Sequence, residues 1–174
     1  MSADILSQAI NLRQKGEFSE SRKFLFSLSE SGEYKGPAYL NIAWSLDNEG
    51  AEREALKYYL LSLEEQLSER DKFEAIFGVA CTYRCLGDLH KADAVFRQLR
   101  REYPEATQVL PFHALCLSSL GKKDDAIRLL FELLLESTSS DAIRAYSKTL
   151  SAYVDAEYPE KDLRIESTEV RSNP

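Results

Sequence analysis

The sequence predicts an all-α protein, with helix pairs stacked into a solenoid of about four repeats and closed by a C-terminal capping helix. Three observations predict this. Gly16, Gly50, Gly87 and Gly121 recur at intervals of 34, 37 and 34 residues. Around each glycine the same side-chain sizes return. A small residue stands seven positions before it (Ala9, Ala43, Ala80, Ala114) and a large apolar one four before (Leu12, Leu46, Tyr83, Leu117). A small residue follows at five (Ser21, Ala55, Ala92, Ala126) and a large one at nine (Leu25, Tyr59, Phe96, Leu130). Finally, glycine (7) and proline (5) are few in 174 residues, which favours helix. Small residues let two antiparallel helices approach, large ones fill the gaps beside them, and the glycine ends the first helix in a left-handed turn.

The elements follow in order. A first helix is expected over 4–15, with Asp4 as its cap, and its partner from Ser19 to about Ser29. Pro37 suits the first turn of the next helix, which carries Tyr39, Ile42, Ala43 and Leu46. Its partner is expected from Glu52 to about Ser68, with the three extra residues of the second interval there or in the turn after it. Asp71 is the expected cap of a helix ending at Leu86. A helix over about 89–102 follows, and Pro104 closes the repeat. Pro111 belongs to the first turn of a helix starting near Thr107 or Gln108, where its missing amide has no intrahelical partner. The segment 124–136 contains IRLLFELLLE, apolar nearly all round, and demands cover on both faces. A ninth helix, starting at Ser139–Asp141 and running to about Glu157, offers that cover through Ile143, Tyr146, Leu150, Tyr153 and Val154. It lacks the glycine of a fifth repeat, as a terminal cap does. One domain over 1–158 is expected, with repeats at about 4–35, 37–69, 71–104 and 107–137 and the cap at about 140–157. Residues 159–174 form a polar tail, whose Leu163, Ile165 and Val170 are the candidates for contact with the protein's own surface.

The period and the residues Ala80, Tyr83, Gly87, Asp88, Ala92, Phe96 and Pro104 resemble a tetratricopeptide repeat protein. The stretch LGDLHKADAVFRQLRREYPE is similar to the small bacterial group-5 tetratricopeptide proteins. The chain departs from the usual pattern in having no tryptophan at the first large position of any repeat, where Ile5, Tyr39, Ile76 and Leu110 stand, and in having one closing proline.

The resemblance implies a right-handed α-solenoid, a protein or peptide partner, and a binding groove lined by the first helix of each repeat. Carried onto this chain, the groove residues are Leu6, Ile10 and Arg13, then Leu40, Trp44 and Asn48, then Phe77, Cys81 and Arg84, and finally Leu115. Their apolar character excludes the Lys/Asn/Arg clamp that holds a terminal carboxylate in chaperone-binding relatives. It suits an apolar segment centred on Trp44, Phe77 and Leu40, with Arg13 and Arg84 orienting a polar or acidic group. The alternative is self-association, with the 124–136 helix and the terminal helix forming a homodimer seam near Phe131 and Tyr153.

A formal charge of −7 argues against nucleic acid and against an anionic membrane surface. The first fifteen residues read as no secretory signal, no segment reaches about 18 apolar residues, and three cysteines make an odd number. A cytoplasmic scaffold without catalysis or cofactor is therefore expected. Cys81, Cys85, His113 and Cys116 carry metal-ligating atoms, but they lack a Cys-x-x-Cys knuckle and read as packing residues. The cluster Arg97, Arg100 and Arg101 reads as a solvated face.

Overall fold

The computed structural model describes residues 2–159. From residue 160 onward, the expectations for the tail lie outside the described residues. The described residues form helices α1 (Ser2–Gln14), α2 (Phe18–Ser31), α3 (Lys35–Asn48), α4 (Glu52–Leu63) and α5 (Glu69–Cys85). They continue with α6 (Leu89–Glu102), α7 (Val109–Ser119), α8 (Lys123–Ser137), α9 (Asp141–Arg144) and α10 (Ser147–Glu157). The first eight are four helix pairs, and each pair stacks on the one before it, giving a helical solenoid.

The four repeat glycines all have positive φ, between 75° and 81°. The residue after each donates its amide to the carbonyl of the large residue four before the glycine: Glu17 to Leu12, Ala51 to Leu46, Asp88 to Tyr83 and Lys122 to Leu117, each at 2.9 Å. That residue therefore closes the cap with its backbone and fills the core with its side chain.

Stacking uses a second set of positions, twelve, eight and five before each glycine. Ala38, Ile42 and Ser45 on α3, Ala75, Val79 and Thr82 on α5, and Val109, His113 and Cys116 on α7 are all buried. In α1 the same positions are Asp4, Gln8 and Asn11, which are exposed. The first repeat therefore presents a polar face at the positions that are buried in the other three.

Polar contacts lock the steps between repeats. Arg22 Nη1 on α2 donates to Ser45 Oγ (3.1 Å) and to Glu49 Oε2 (2.5 Å). Tyr59 on α4 lays its ring against Gly78 of α5 so closely that a Cβ at residue 78 would overlap it. Asp93 on α6 meets His113 Nε2 at 2.7 Å and Lys122 at 3.2 Å.

Several boundaries differ from the sequence reading. α4 ends at Leu63, short of the expected Ser68, and the extra residues of the interval fall in the first turn of α5, which starts at Glu69. The cap of α5 is Ser68, whose Oγ accepts from the amide of Asp71. In place of one capping helix over 140–157 there are two pieces, α9 and α10, interrupted at Ala145–Tyr146. The earlier first helices stack through small or slender side chains, whereas this segment presents Tyr146 and Tyr153. It does not seat as they do. Arg128 instead holds α10 to the flank of α8, donating to the Tyr158 carbonyl (2.9 Å) and pairing with Asp155 (2.9 Å). Val154 is the one buried residue of α10 among the described residues, and Leu130 and Leu134 of α8 stay exposed. The expected cover for α8 is therefore partial.

Candidate functional site

The first helices of repeats one to three, α1, α3 and α5, enclose a concave cavity of about 770 Å³. Leu6, Ile10 and Arg13 line it from α1, and Pro37, Trp44 and Asn48 from α3. Arg70, Asp71 and Glu74 form its α5 wall, and Tyr34 lies at its edge. Half of this wall arises from the repeat spacing, because positions on the free side of each first helix point away from the partner helix.

Arg13 is the organised charge of the site. Its guanidinium carbon lies 4.8 Å from the Trp44 ring centroid, and its Nε donates to Asn41 Oδ1 at 3.1 Å. Asn41 is itself fixed, donating to the Pro37 carbonyl at 2.9 Å. Asn48 donates to the Trp44 carbonyl at 2.7 Å. Burial lowers the Arg13 pKa from its ordinary value, yet so basic a group keeps its charge. No carboxylate pairs with it among the described residues. Beside it, Tyr59 Oη donates to Asp47 Oδ2 at 2.8 Å. Burial pushes the Asp47 carboxyl up, opposed by the hydrogen bond from Tyr59, and burial together with the neighbouring Asp47 pushes the Tyr59 phenol up.

The other expected groove residues are dispersed. Leu40 is 1% exposed and belongs to the core, because it faces the helix partners rather than the cavity. Phe77 joins an aromatic cluster, stacked on Phe73 at 5.8 Å and edge-on to Phe112 at 5.0 Å, so the cavity is not centred on it. Cys81 is half-buried, and burial pushes its thiol up to about 12, which leaves it unreactive. Arg84 extends the concave row, at the position of Arg13 two repeats earlier, and its buried Nε lacks a hydrogen-bond partner among the described residues. Leu115 is exposed at the far end of the solenoid and lines a different hollow.

Sequence reasoning missed Asn41, Tyr34, Arg70, Asp71 and Glu74. Asn41 carried a signal: it is an amide in the middle of an otherwise apolar helix, where a polar group needs a partner. Arg70 and Asp71 reach the cavity because α5 starts a turn earlier, relative to its repeat glycine, than α3 does, whereas Glu74 stands at the position of Pro37 on α3.

Among the described residues, no group of three or more His, Cys, Asp or Glu side chains is placed to hold a metal ion. His113 is committed to Asp93, and the Cys116 thiol to the Leu89 carbonyl at 3.5 Å. Among the described residues, no helix is long and apolar enough to cross a membrane.

The family model described as "Tetratrico peptide repeat" matches residues 5–69 and 36–156. None of the curated proteins matches the chain. Among solved structures, a tetratricopeptide repeat protein from Parabacteroides merdae ATCC 43184 superposes with a TM-score of 0.67 at 18% identity. That likeness covers 92% of this chain and 68% of the other. With a family model spanning most of the sequence and the same fold in a solved relative, the chain belongs to the tetratricopeptide repeat family.

Proposed function

We propose that this protein is a non-catalytic interaction scaffold whose α1–α3–α5 cavity holds an extended segment of a partner protein. The segment presents an apolar side chain to Trp44 and an acidic one to Arg13. Repeats of this family generally mediate protein–protein interaction or assembly. The observation that carries the finer reading is the Arg13–Trp44–Asn41 arrangement. It is a cation over an aromatic face, held by a buried amide and facing an open cavity, with no carboxylate paired to it among the described residues. A guanidinium preorganised in this way binds a carboxylate with little further ordering cost, and the exposed edge of the indole receives apolar surface. Arg70 lies on the opposite wall, and Arg84 continues the row. Asp71 and Glu74 match Arg13 and Arg70 in number along the lining, so the reading rests on the local placement of Arg13 beside Trp44 and not on net charge.

The test is a random peptide display selection on the full chain. Peptides pairing a large apolar residue with a neighbouring Asp or Glu are the expected winners, and they lose at least tenfold in affinity towards Trp44→Ala and Arg13→Gln. Winners that bind both variants as tightly as the parent protein would overturn the proposal.

A further inference from the structure

The two ends of the solenoid are unlike. At each internal step, the groove between the two helices of a repeat is filled by the first helix of the next: α3 on α1 and α2, α5 on α3 and α4, α7 on α5 and α6. After α8 this stops. Ala114 and Ala126 occupy the small positions that let the earlier helices in, yet the space between α7 and α8 is open. It is an apolar hollow of about 440 Å³, lined also by Pro111, Ile127 and Leu130. Leu115 is 55% exposed at its wall and Leu130 is 46% exposed. Among the described residues, this is a groove without a helix.

The same chain carries a helix whose apolar stripe is only partly covered: Leu150, Tyr153 and Glu157 border a hollow of about 430 Å³ with Phe131 of α8. Tyr146, Leu150 and Tyr153 fall at i, i+4 and i+7 along α10 and just before it, which is one stripe of a helix. Tyr146 is 65% exposed and Tyr153 68%. Arg128 holds α10 on the flank of α8, so its own stripe does not enter its own groove.

We propose that a second copy of this chain supplies the missing helix, the α10 stripe of each copy seating in the α7–α8 groove of the other. The contact is reciprocal, so it closes as a two-fold dimer. Charge supports this occupant. Glu157 continues the stripe one turn past Tyr153, and Lys123 stands at the rim of the groove. The alternative way of stacking copies, head to tail, would bring α1 into the groove. There the stacking positions are the exposed Asp4, Gln8 and Asn11, polar side chains that would lose water against an apolar hollow. This surface lies outside the Trp44 cavity, so the proposal stands or falls independently of peptide binding.

Sedimentation velocity of the full chain tests it, on the wild type, on Leu130→Asp in the groove and on Tyr153→Ser in the stripe. Both substitutions are at exposed positions, and circular dichroism checks that each variant keeps its helix content. The expected result is a concentration-dependent wild-type dimer, with at least a tenfold rise in dissociation constant for each variant. A second measurement reads the pairing itself. In a Cys85→Ser background, Leu115→Cys and Tyr153→Cys proteins are mixed with a short bis-maleimide cross-linker. Mixed groove-to-stripe dimers are expected to outnumber like-with-like products. A wild type that stays monomeric at all concentrations, a ladder of higher oligomers, variants that dimerise as well as the parent, or like-with-like cross-links alone would overturn the proposal.

Discussion

The guanidinium carbon of Arg13 lies over the indole of Trp44, 4.8 Å from its centroid, and Asn41 accepts from its Nε. The two residues come from different repeats, 31 positions apart in the sequence. Their contact therefore reports how α1 seats on α3 as well as what the cavity presents. Arg13→Gln keeps the packing stem and removes the charge. It is expected to weaken binding of an acidic peptide at least tenfold and to cost about 1–2 kcal/mol of unfolding free energy, since the half-buried cation–π pair is lost and Asn41 Oδ1 loses its donor. Titration calorimetry and urea unfolding on the same sample separate the two effects.

Tyr59 fixes the curvature between repeats two and three. Its ring fills the space that Gly78 leaves on α5, and its hydroxyl satisfies the half-buried Asp47. Gly78→Ala is expected to cost about 1–3 kcal/mol, because neither the ring nor the helix backbone has room to move. Tyr59→Phe is expected to cost about 1–3 kcal/mol by leaving the Asp47 carboxyl without its donor. Urea denaturation of both variants checks these values.

Gly87 turns from α5 into α6 at φ 81°. No neighbouring side chain crowds it, so the effect of substitution is conformational and isolated from packing. Gly87→Ala is expected to cost about 1–2 kcal/mol, the penalty of a Cβ in the left-handed region. Thermal unfolding with an unchanged circular dichroism spectrum would show that the fold survives and only its stability falls.

His113 is buried between α6 and α7, stacked 5.4 Å from Phe96, with its Nε2 on Asp93 and its Nδ1 lacking a partner among the described residues. Burial lowers its pKa, and the nearby charges of Arg100 and Arg97 add to this, outweighing the pull of Asp93. The folded protein therefore takes up this proton less readily than the unfolded chain. Its contribution is intact above about pH 6.5, the unfolded histidine value, and is lost as pH falls below that. Asp93 acts in a lower window. Burial alone would raise it, but His113, Arg97 and Lys122 prevail and hold it below the usual carboxylate range, so its contribution is lost only below about pH 4. Wild-type stability is expected to decline between pH 7.5 and 5.5 by up to about 1.4 kcal/mol per unit, and His113→Gln to flatten that decline. A variant whose profile parallels the wild type would contradict this assignment.

The repeat architecture was legible because stacking repeats its constraints. The glycine, the small residue seven before it and the large one four before it are each demanded by one contact made at every step. The cavity was legible only in part, since facing inwards and lining a groove are different properties. Leu40 shares the apolar type of Leu6, but α2 and α4 pack around it. Phe77 has three aromatic neighbours, Phe73, Phe96 and Phe112, which no local pattern announces. Arg70 and Asp71 enter because α5 is 17 residues long, and the 37-residue interval did not say where the extra turn would fall. The break at Ala145–Tyr146 was hidden because apolar spacing alone supports one continuous helix there.

Trp44 is the protein's single tryptophan, so its emission reports the cavity without labelling. The most direct measurement is a fluorescence titration of display-selected acidic–apolar peptides into the full chain and into Arg13→Gln. The proposed function predicts a saturable change in Trp44 emission in the wild type, with a dissociation constant at least tenfold weaker in the variant. Peptides that bind tightly while leaving Trp44 emission unchanged, or that bind Arg13→Gln equally well, would contradict it and place the binding surface elsewhere on the solenoid.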